Sequence, residues 1–342
     1  MDIKQLARLC NAFGVSGEEP EIRELLQKEI SADETYIDKA GNLIAVKKSE
    51  NPEAPVVVLD AHMDSVGLCV KEIAERGFLR VASVGGMDAK ILPNTLVEVG
   101  KNKILGIVAS KPPHLMDEKD RENAVPLEKL WVDTGDNASK IQIGDRIRYA
   151  PRFSEMLSAV SGTYLDNRLG CALILEVFSA LKNKKIPFTL KAVFSSGEEA
   201  GLKGAKYSDI TADMALILDV TFGKTPDETS DEALECGQGV AIGVGSDIHR
   251  IISGALKSCA EKNNVMYQVE LLEGCSGTNA WAYQVSGLGI PCGLLSVPIR
   301  YMHTPVETVF RQDYDSTLCL LTAYLESLSE EDIKSVSEVI VC

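Results

Sequence analysis

Two adjacent carboxylates, Glu198 and Glu199, stand in the stretch Ser196-Gly197-Glu198-Glu199-Ala200-Gly201-Leu202-Lys203-Gly204-Ala205, just past the apolar run Phe188–Phe194. Neighbouring carboxylates at a strand end repel and are costly to desolvate, so a fold that keeps them there supplies cations. A bound metal can be that cation, with one carboxylate ligating and the other handling protons. The plain alternative is a solvated turn. Other groups of the same kind recur along the chain. His62 and Asp64 follow the run Val56–Leu59, Asp166 opens a helical pattern, Asp219 ends Ala215–Leu218, and His303 follows Arg300-Tyr301-Met302. Each alone has a bland reading: a satisfied strand-end pair for His62 and Asp64, an N-cap for Asp166, a turn for Asp219, a surface imidazole for His303. Taken together they are two histidines and five carboxylates without a cysteine, a donor set suited to Zn²⁺, Co²⁺ or Mn²⁺. Five or six ligands exceed one tetrahedral site and point to two metals sharing a carboxylate.

The elements that must position these residues follow from pattern. Helices are expected over residues 3–13, 18–30, 166–181 and 247–262, near 277–284, and over 313–327. Pro20 in the first turn suits the second of these. A short hairpin is expected at 35–37 and 42–46. The continuous apolar runs at 56–59, 188–194, 215–218, 240–244 and 291–297 read as strands buried on both faces. Between residues 67 and 153 no amphipathic helix is evident. Short alternating runs at 68–73, 79–83, 95–99, 103–109, 129–132 and 145–149 suggest a small all-β module inserted into an α/β domain. Residues 111–126 read as a mobile loop and the last dozen as a polar tail with a short apolar end, with Cys342 an exposed thiol. Polar groups at the C-terminal ends of parallel strands mark the usual site of an open α/β sheet.

Bulk properties narrow the class. The chain has 342 residues, 45% of them hydrophobic and 25% charged, enough for two domains or one with an insertion. A formal net charge of −15 argues against a nucleic-acid or anionic-membrane surface. There is no apolar run of about 18 residues to span a membrane and no basic-then-apolar leader at Met1–Gln5. The nine cysteines are scattered and never form Cys-x-x-Cys, which excludes a zinc-finger or disulfide scaffold and favours a reducing, cytoplasmic setting.

Five motifs occur in order: Ala61-His62-Met63-Asp64-Ser65-Val66-Gly67, Leu165-Asp166-Asn167-Arg168-Leu169-Gly170, Ser196–Ala205, Leu218-Asp219-Val220-Thr221 and Arg300–Glu307. Together they resemble the dimetal aminopeptidases of the tetrahedral (TET) group, which includes glutamyl, leucyl and lysyl aminopeptidases, some labelled cellulase or endoglucanase. The resemblance spans nearly the whole chain, with Pro112-Pro113-His114, Asp133-Thr134-Gly135 and Ile143-Gly144-Asp145 matching landmarks of the β insertion. It implies a mixed sheet flanked by helices, a zinc-peptidase-like catalytic domain over 1–66 and 154–342, and an inserted β-barrel-like domain over 67–153. It also implies roles. His62 and Asp219 would hold one divalent metal, Glu199 and His303 the other, and Asp166 would bridge them. Asp64 would orient the His62 imidazole and Glu198 would be the general base. The Asp166–Asn167 peptide would be cis. Short peptides are the implied substrates and a homo-oligomer, as in tetrahedral dodecamers, the implied assembly.

One departure concerns Cys275-Ser276-Gly277-Thr278-Asn279-Ala280, where the family often has Gly-Gly-Thr-Asp-Ala. Asn279 would remove a charge near the substrate pocket. His114 and His249 receive no ligand role, and Arg168 and Lys203 are expected to be solvated or ion-paired. The competing activities are a related dimetal deacylase or carboxypeptidase, a glycoside hydrolase using two carboxylates without metal, and an inactive binding protein.

Overall fold

The computed structural model describes residues 1–117, 123–226, 228 and 233–337. The chain opens with helices α1 (Ile3–Asn11) and α2 (Pro20–Glu29) and strands β1 (Glu34–Ile37), β2 (Leu43–Lys47) and β3 (Val56–His62). Six strands follow: β4 (Gly67–Ile73), β5 (Phe78–Val84), β6 (Leu96–Val99), β7 (Ile104–Ala109), β8 (Trp131–Asp133) and β9 (Arg146–Tyr149). They close a barrel in the order β4-β5-β8-β7-β6-β9. The inward residues Leu68, Val70, Val81, Val97, Val99, Val108, Val132 and Ile147 form its own core. Side chains alternate between this core and the outer surface along the strands, where Leu96, Leu105 and Ile107 point outward, and a register shift between Val70 and Glu72 interrupts β4.

Strands β10 (Phe153–Glu155) and β11 (Ala159–Gly162) then lead to helix α3 (Leu165–Leu181) and β12 (Thr189–Ser195). After them come α4 (Lys203–Tyr207), β13 (Met214–Phe222), β14 (Val240–Gly245), α5 (Arg250–Lys262), β15 (Tyr267–Leu272), α6 (Asn279–Val285), β16 (Cys292–Arg300), β17 (Glu307–Phe310), α7 (Arg311–Ser327) and α8 (Glu330–Ser337). The large sheet is mixed, with strand order β1-β2-β12-β3-β13-β16-β17-β11-β10; β14 joins β16 and carries β15 at the edge. Its centre, β12-β3-β13-β16, is parallel.

The apolar runs are explained by burial on both faces. Val57, Leu59 and Ala61 pack with α1, α3 and α7 on one side, while Val58 packs with Ala280, Ala282 and Tyr283 of α6 on the other. Each fully buried valine or leucine among them stabilises the fold by about 1.5–3 kcal/mol. Every strand and helix expected from pattern is present within a few residues.

The structure adds elements that pattern did not show: β10, β11, β15, β17 and the one-turn-and-a-half helix α4. It also corrects the C-terminal reading. The expected polar tail contains helix α8, with Ile333 and Val336 buried in the main core. Its start is closed by Ser329 and Asp332, whose side chains and backbone N–H groups pair reciprocally. The part of the 111–126 stretch that is described includes a 3₁₀ turn at Pro113–Leu115. Cys342, and the apolar end of the tail with it, lies outside the described residues.

Candidate active site

Strand ends deliver the polar groups. His62 closes β3, and Ser195 beside it closes β12, so the Gly197-Glu198-Glu199 turn begins next to the imidazole. The turn is tight. Gly197 takes φ 61°, and a Cβ on Gly204 would lie 2.5 Å from the Ser196 carbonyl oxygen. Asp219 lies within β13, opposite Ser296 of β16, rather than at a strand end, because β13 continues to Phe222. Asp166 stands at the head of α3 where the backbone is not helical (φ −78°, ψ 109°), and the Asp166–Asn167 peptide is cis. His303 follows β16 in a turn with φ 61°.

These residues meet. His62 Nε2 lies 3.1 Å from Asp166 Oδ1, 3.7 Å from Asp219 Oδ1 and 4.0 Å from Glu198 Oε2. His303 Nε2 lies 3.3 Å from Asp166 Oδ2 and 3.2 Å from Glu199 Oε1. The two oxygens of Asp166 thus face two different imidazole groups. Three triads have all their ligand atoms within 4.8 Å of one another: His62-Asp166-Asp219, His62-Glu198-Glu199 and Asp166-Glu199-His303. Side chains of this kind, packed this closely and mostly buried, fit divalent cations of the borderline class.

Electrostatics bear on the same point. Burial alone would lower the His62 pKa, but Glu198, Asp166, Asp219 and Asp64 outweigh it and hold the imidazole well above its usual value. His303 is likewise pushed up to about 11, with Asp166 and Glu199 overcoming burial. Glu198 is pushed up to about 9, mainly by burial and, against the pull of His62, by Asp219 and Glu199. Asp166 is held low because His303 and His62 outweigh its burial. Without cations, then, the surrounding carboxylates favour the protonated forms of both imidazoles.

Supporting groups fix these side chains. Asp64 is fully buried and accepts from the backbone N–H groups of Glu198 (3.0 Å) and Glu199 (3.2 Å) and from Ser16 Oγ (2.5 Å). His62 Nδ1 is nearer to the Asp64 carbonyl oxygen, 3.2 Å, than to its carboxylate, 3.5 Å. Asp64 therefore binds the Glu-Glu turn to β3 as much as it orients the imidazole. Glu307, buried, accepts from the backbone N–H groups of Asp166 (3.1 Å) and His303 (2.8 Å). The Gly86 carbonyl, in the loop after β5 of the barrel, lies 3.1 Å from His303 Nδ1. Sequence reading assigned neither Glu307 nor Gly86 a role. Glu307 ends the Arg300–Glu307 motif, which was the available signal; nothing local marks Gly86.

The cluster forms one end of a cleft of about 520 Å³, whose other walls include Thr221, Phe222, Glu270, Leu271, Ser276, Leu294 and Ser296. The model for the M42 glutamyl aminopeptidase family matches residues 41–320. The chain belongs to the M42 glutamyl aminopeptidase family. This M42 peptidase is 33% identical to the lysyl aminopeptidase of Pyrococcus furiosus, over 97% of this chain and 99% of that one. Its fold is similar to that of an aminopeptidase from Desulfurococcus kamchatkensis, with a TM-score of 0.90 and 28% identity over 99% and 98% of the two chains. It is also similar to the TET1 peptidase of Pyrococcus horikoshii, with a TM-score of 0.84 and 29% identity over 95% and 99%; that protein can assemble into a tetrahedron or a large octahedral shell. The chain is thus an aminopeptidase, a hydrolase acting on peptide bonds.

Other expectations are placed by the same structure. Asn279 does not face the cleft of this M42 peptidase. It is buried beneath the cluster, donating to Asp60 Oδ1 and Ser195 Oγ, both at 2.7 Å, so its amide supports β3 and β12 rather than reading substrate. Arg168 is neither solvated nor paired with a carboxylate. It is fully buried and donates to the Met63 carbonyl, because the head of α3 is sealed by β3. Lys203 is exposed. His114 is exposed on the barrel loop and His249 is buried before α5, and neither joins the ligand cluster. No helix among the described residues is long and apolar enough to cross a membrane.

Proposed function

We propose that this M42 peptidase removes N-terminal residues from short peptides with a pair of divalent cations, zinc or cobalt first and manganese next. His62 and Asp219 would hold one ion, Glu199 and His303 the other, and Asp166 would bridge them. The observation that carries this reading is the split of Asp166, with Oδ1 toward His62 and Oδ2 toward His303. When bound, the ions supply Lewis acidity for the scissile carbonyl and offset the repulsion among the carboxylates.

The chain's own residues do the rest. Glu198, half-buried beside this cluster, takes a proton from the attacking water and hands it to the leaving amine. Its raised pKa suits a group that must hold that proton, and nearby cations bring it back toward neutrality. Asp64 keeps the Glu198 and Glu199 backbone in place, and Glu307 does the same for Asp166 and His303. The acidic end of the cleft favours a free α-amine, which supports cleavage from the N-terminus.

The reading extends to organisation. Residues 1–66 and 154–342 form the catalytic domain and 67–153 the inserted barrel domain. The chain assembles as a homo-oligomer, in the manner described for the TET1 peptidase, in a tetrahedral dodecamer. It works in the cytoplasm, as supported by the free state of the described cysteines.

The test uses free and N-blocked aminoacyl-anilides with wild type and Glu198→Gln. Free substrates should be cleaved and blocked ones not, and the variant should keep fold and metal while losing about 10²–10⁴-fold in kcat. Cleavage of blocked substrates alone would instead favour a deacylase, and near-normal turnover by the variant would remove Glu198 from its role.

A further inference from the structure

Away from the ligand cluster the cleft has a polar floor and apolar walls. The floor is built by register. Ser296 lies opposite Asp219 on the neighbouring strand, and its Oγ donates to Glu270 Oε2 at 2.7 Å. Glu270 sits on the edge strand β15, paired with Gly243 of β14. A Cβ at Gly243 would lie 2.9 Å from Leu294 Cβ, so glycine at this register position is what lets Leu294 pack against β14 beside Glu270. Thr221, also on the cleft wall, lies close enough to the Glu270 carboxylate to favour its charged form. Val220, Phe222, Leu271, Leu294 and Met302 line the walls. Among the described residues no lysine or arginine lines the cleft. Glu273, exposed, stands at its rim.

A buried carboxylate in a substrate cleft, held by the Ser296 hydroxyl and with no lysine or arginine of the described residues lining the cleft, is short of a partner. Burial pushes its pKa up, and a bound cation would reverse that. A long aliphatic stem could lie along apolar walls while its charged end reaches the floor.

We infer that Glu270 is a specificity-determining residue that receives the cationic end of an N-terminal lysine or arginine side chain. The inference rests on the aminopeptidase reading and adds the substrate class. The α-amine stays at the ligand cluster. Glu270 acts only on substrates whose side chain reaches it, and Glu273 raises the local concentration of cations at the mouth.

Lysyl, arginyl, norleucyl and glutamyl para-nitroanilides separate the possibilities, because norleucine has the lysine stem without the ammonium group. The wild-type enzyme should favour lysyl over norleucyl substrate in kcat/KM by about 10-fold or more. Glu270→Gln should cut that ratio by about 10-fold or more, whereas Glu270→Asp, which keeps the charge, should retain part of it. A wild-type preference for norleucyl or glutamyl substrate overturns the inference and leaves the aminopeptidase reading standing. So does an equal fall on all four substrates in Glu270→Gln, which would assign Glu270 to the α-amine or to the fold. Failure to cleave any free aminoacyl-anilide overturns the aminopeptidase reading itself.

Discussion

Glu307 ties two prospective ligands together through their backbones, since its carboxylate accepts from the N–H groups of Asp166 and His303. Glu307→Gln would turn an amide NH₂ toward one of those N–H groups and lose that bond. We predict a fall of about 10- to 100-fold in affinity for one metal, read by competition with a chromophoric chelator; unchanged affinity would show that Glu307 does not set ligand position. The protons of the cluster give a second prediction. His62 and His303 are held above their ordinary value near 6.5, so at neutral pH the metal-free protein carries both as cations. Ligation requires neutral imidazole, so metal binding must expel protons, and affinity must rise with pH through the neutral range. Calorimetry in buffers of different ionisation enthalpy measures the release directly; a heat independent of buffer would contradict it. That these His, Asp and Glu side chains would gather in one place was legible in the sequence, because they recur at or near the ends of buried apolar runs. The backbone contacts of Glu307 and Gly86 were not legible, because they depend on segments distant in sequence that meet only in the fold.

At the level of elements, legibility tracks burial. Strands β3, β12, β13 and β16 are buried on both faces and read as unbroken apolar runs. Strands β10, β11 and β17 have only three or four residues each, and partners rather than pattern create them. Strand β15 lies at the edge with mixed exposure, so Tyr267–Leu272 looked unremarkable although it carries Glu270 into the cleft. Helix α8 hides in an acidic segment, where its start is specified by Ser329 and Asp332 and its attachment by Ile333 and Val336. Ile333→Ala should therefore cost about 2–5 kcal/mol in urea unfolding. A change within about 0.5 kcal/mol, the usual range for surface substitutions, would show that the helix is not part of the main core.

Across the molecule, two architectures meet at one imidazole. The parallel centre of the large sheet supplies His62, Glu198, Glu199 and Asp219, while the barrel's Gly86 carbonyl reaches His303 Nδ1. The barrel thus contributes to the site as well as forming a separate core. The arrangement of Asp166 between two imidazole-carboxylate groups is the feature on which the functional account depends. Its most direct test is to strip the protein with a chelator and titrate it with Co²⁺ or Zn²⁺, following hydrolysis of a free aminoacyl-anilide against ions bound per chain. The account predicts no activity in the stripped protein, two ions per chain at saturation, and loss of the second ion in Asp166→Asn. Full activity in the stripped protein, or saturation at a single ion unaffected by Asp166→Asn, would contradict it.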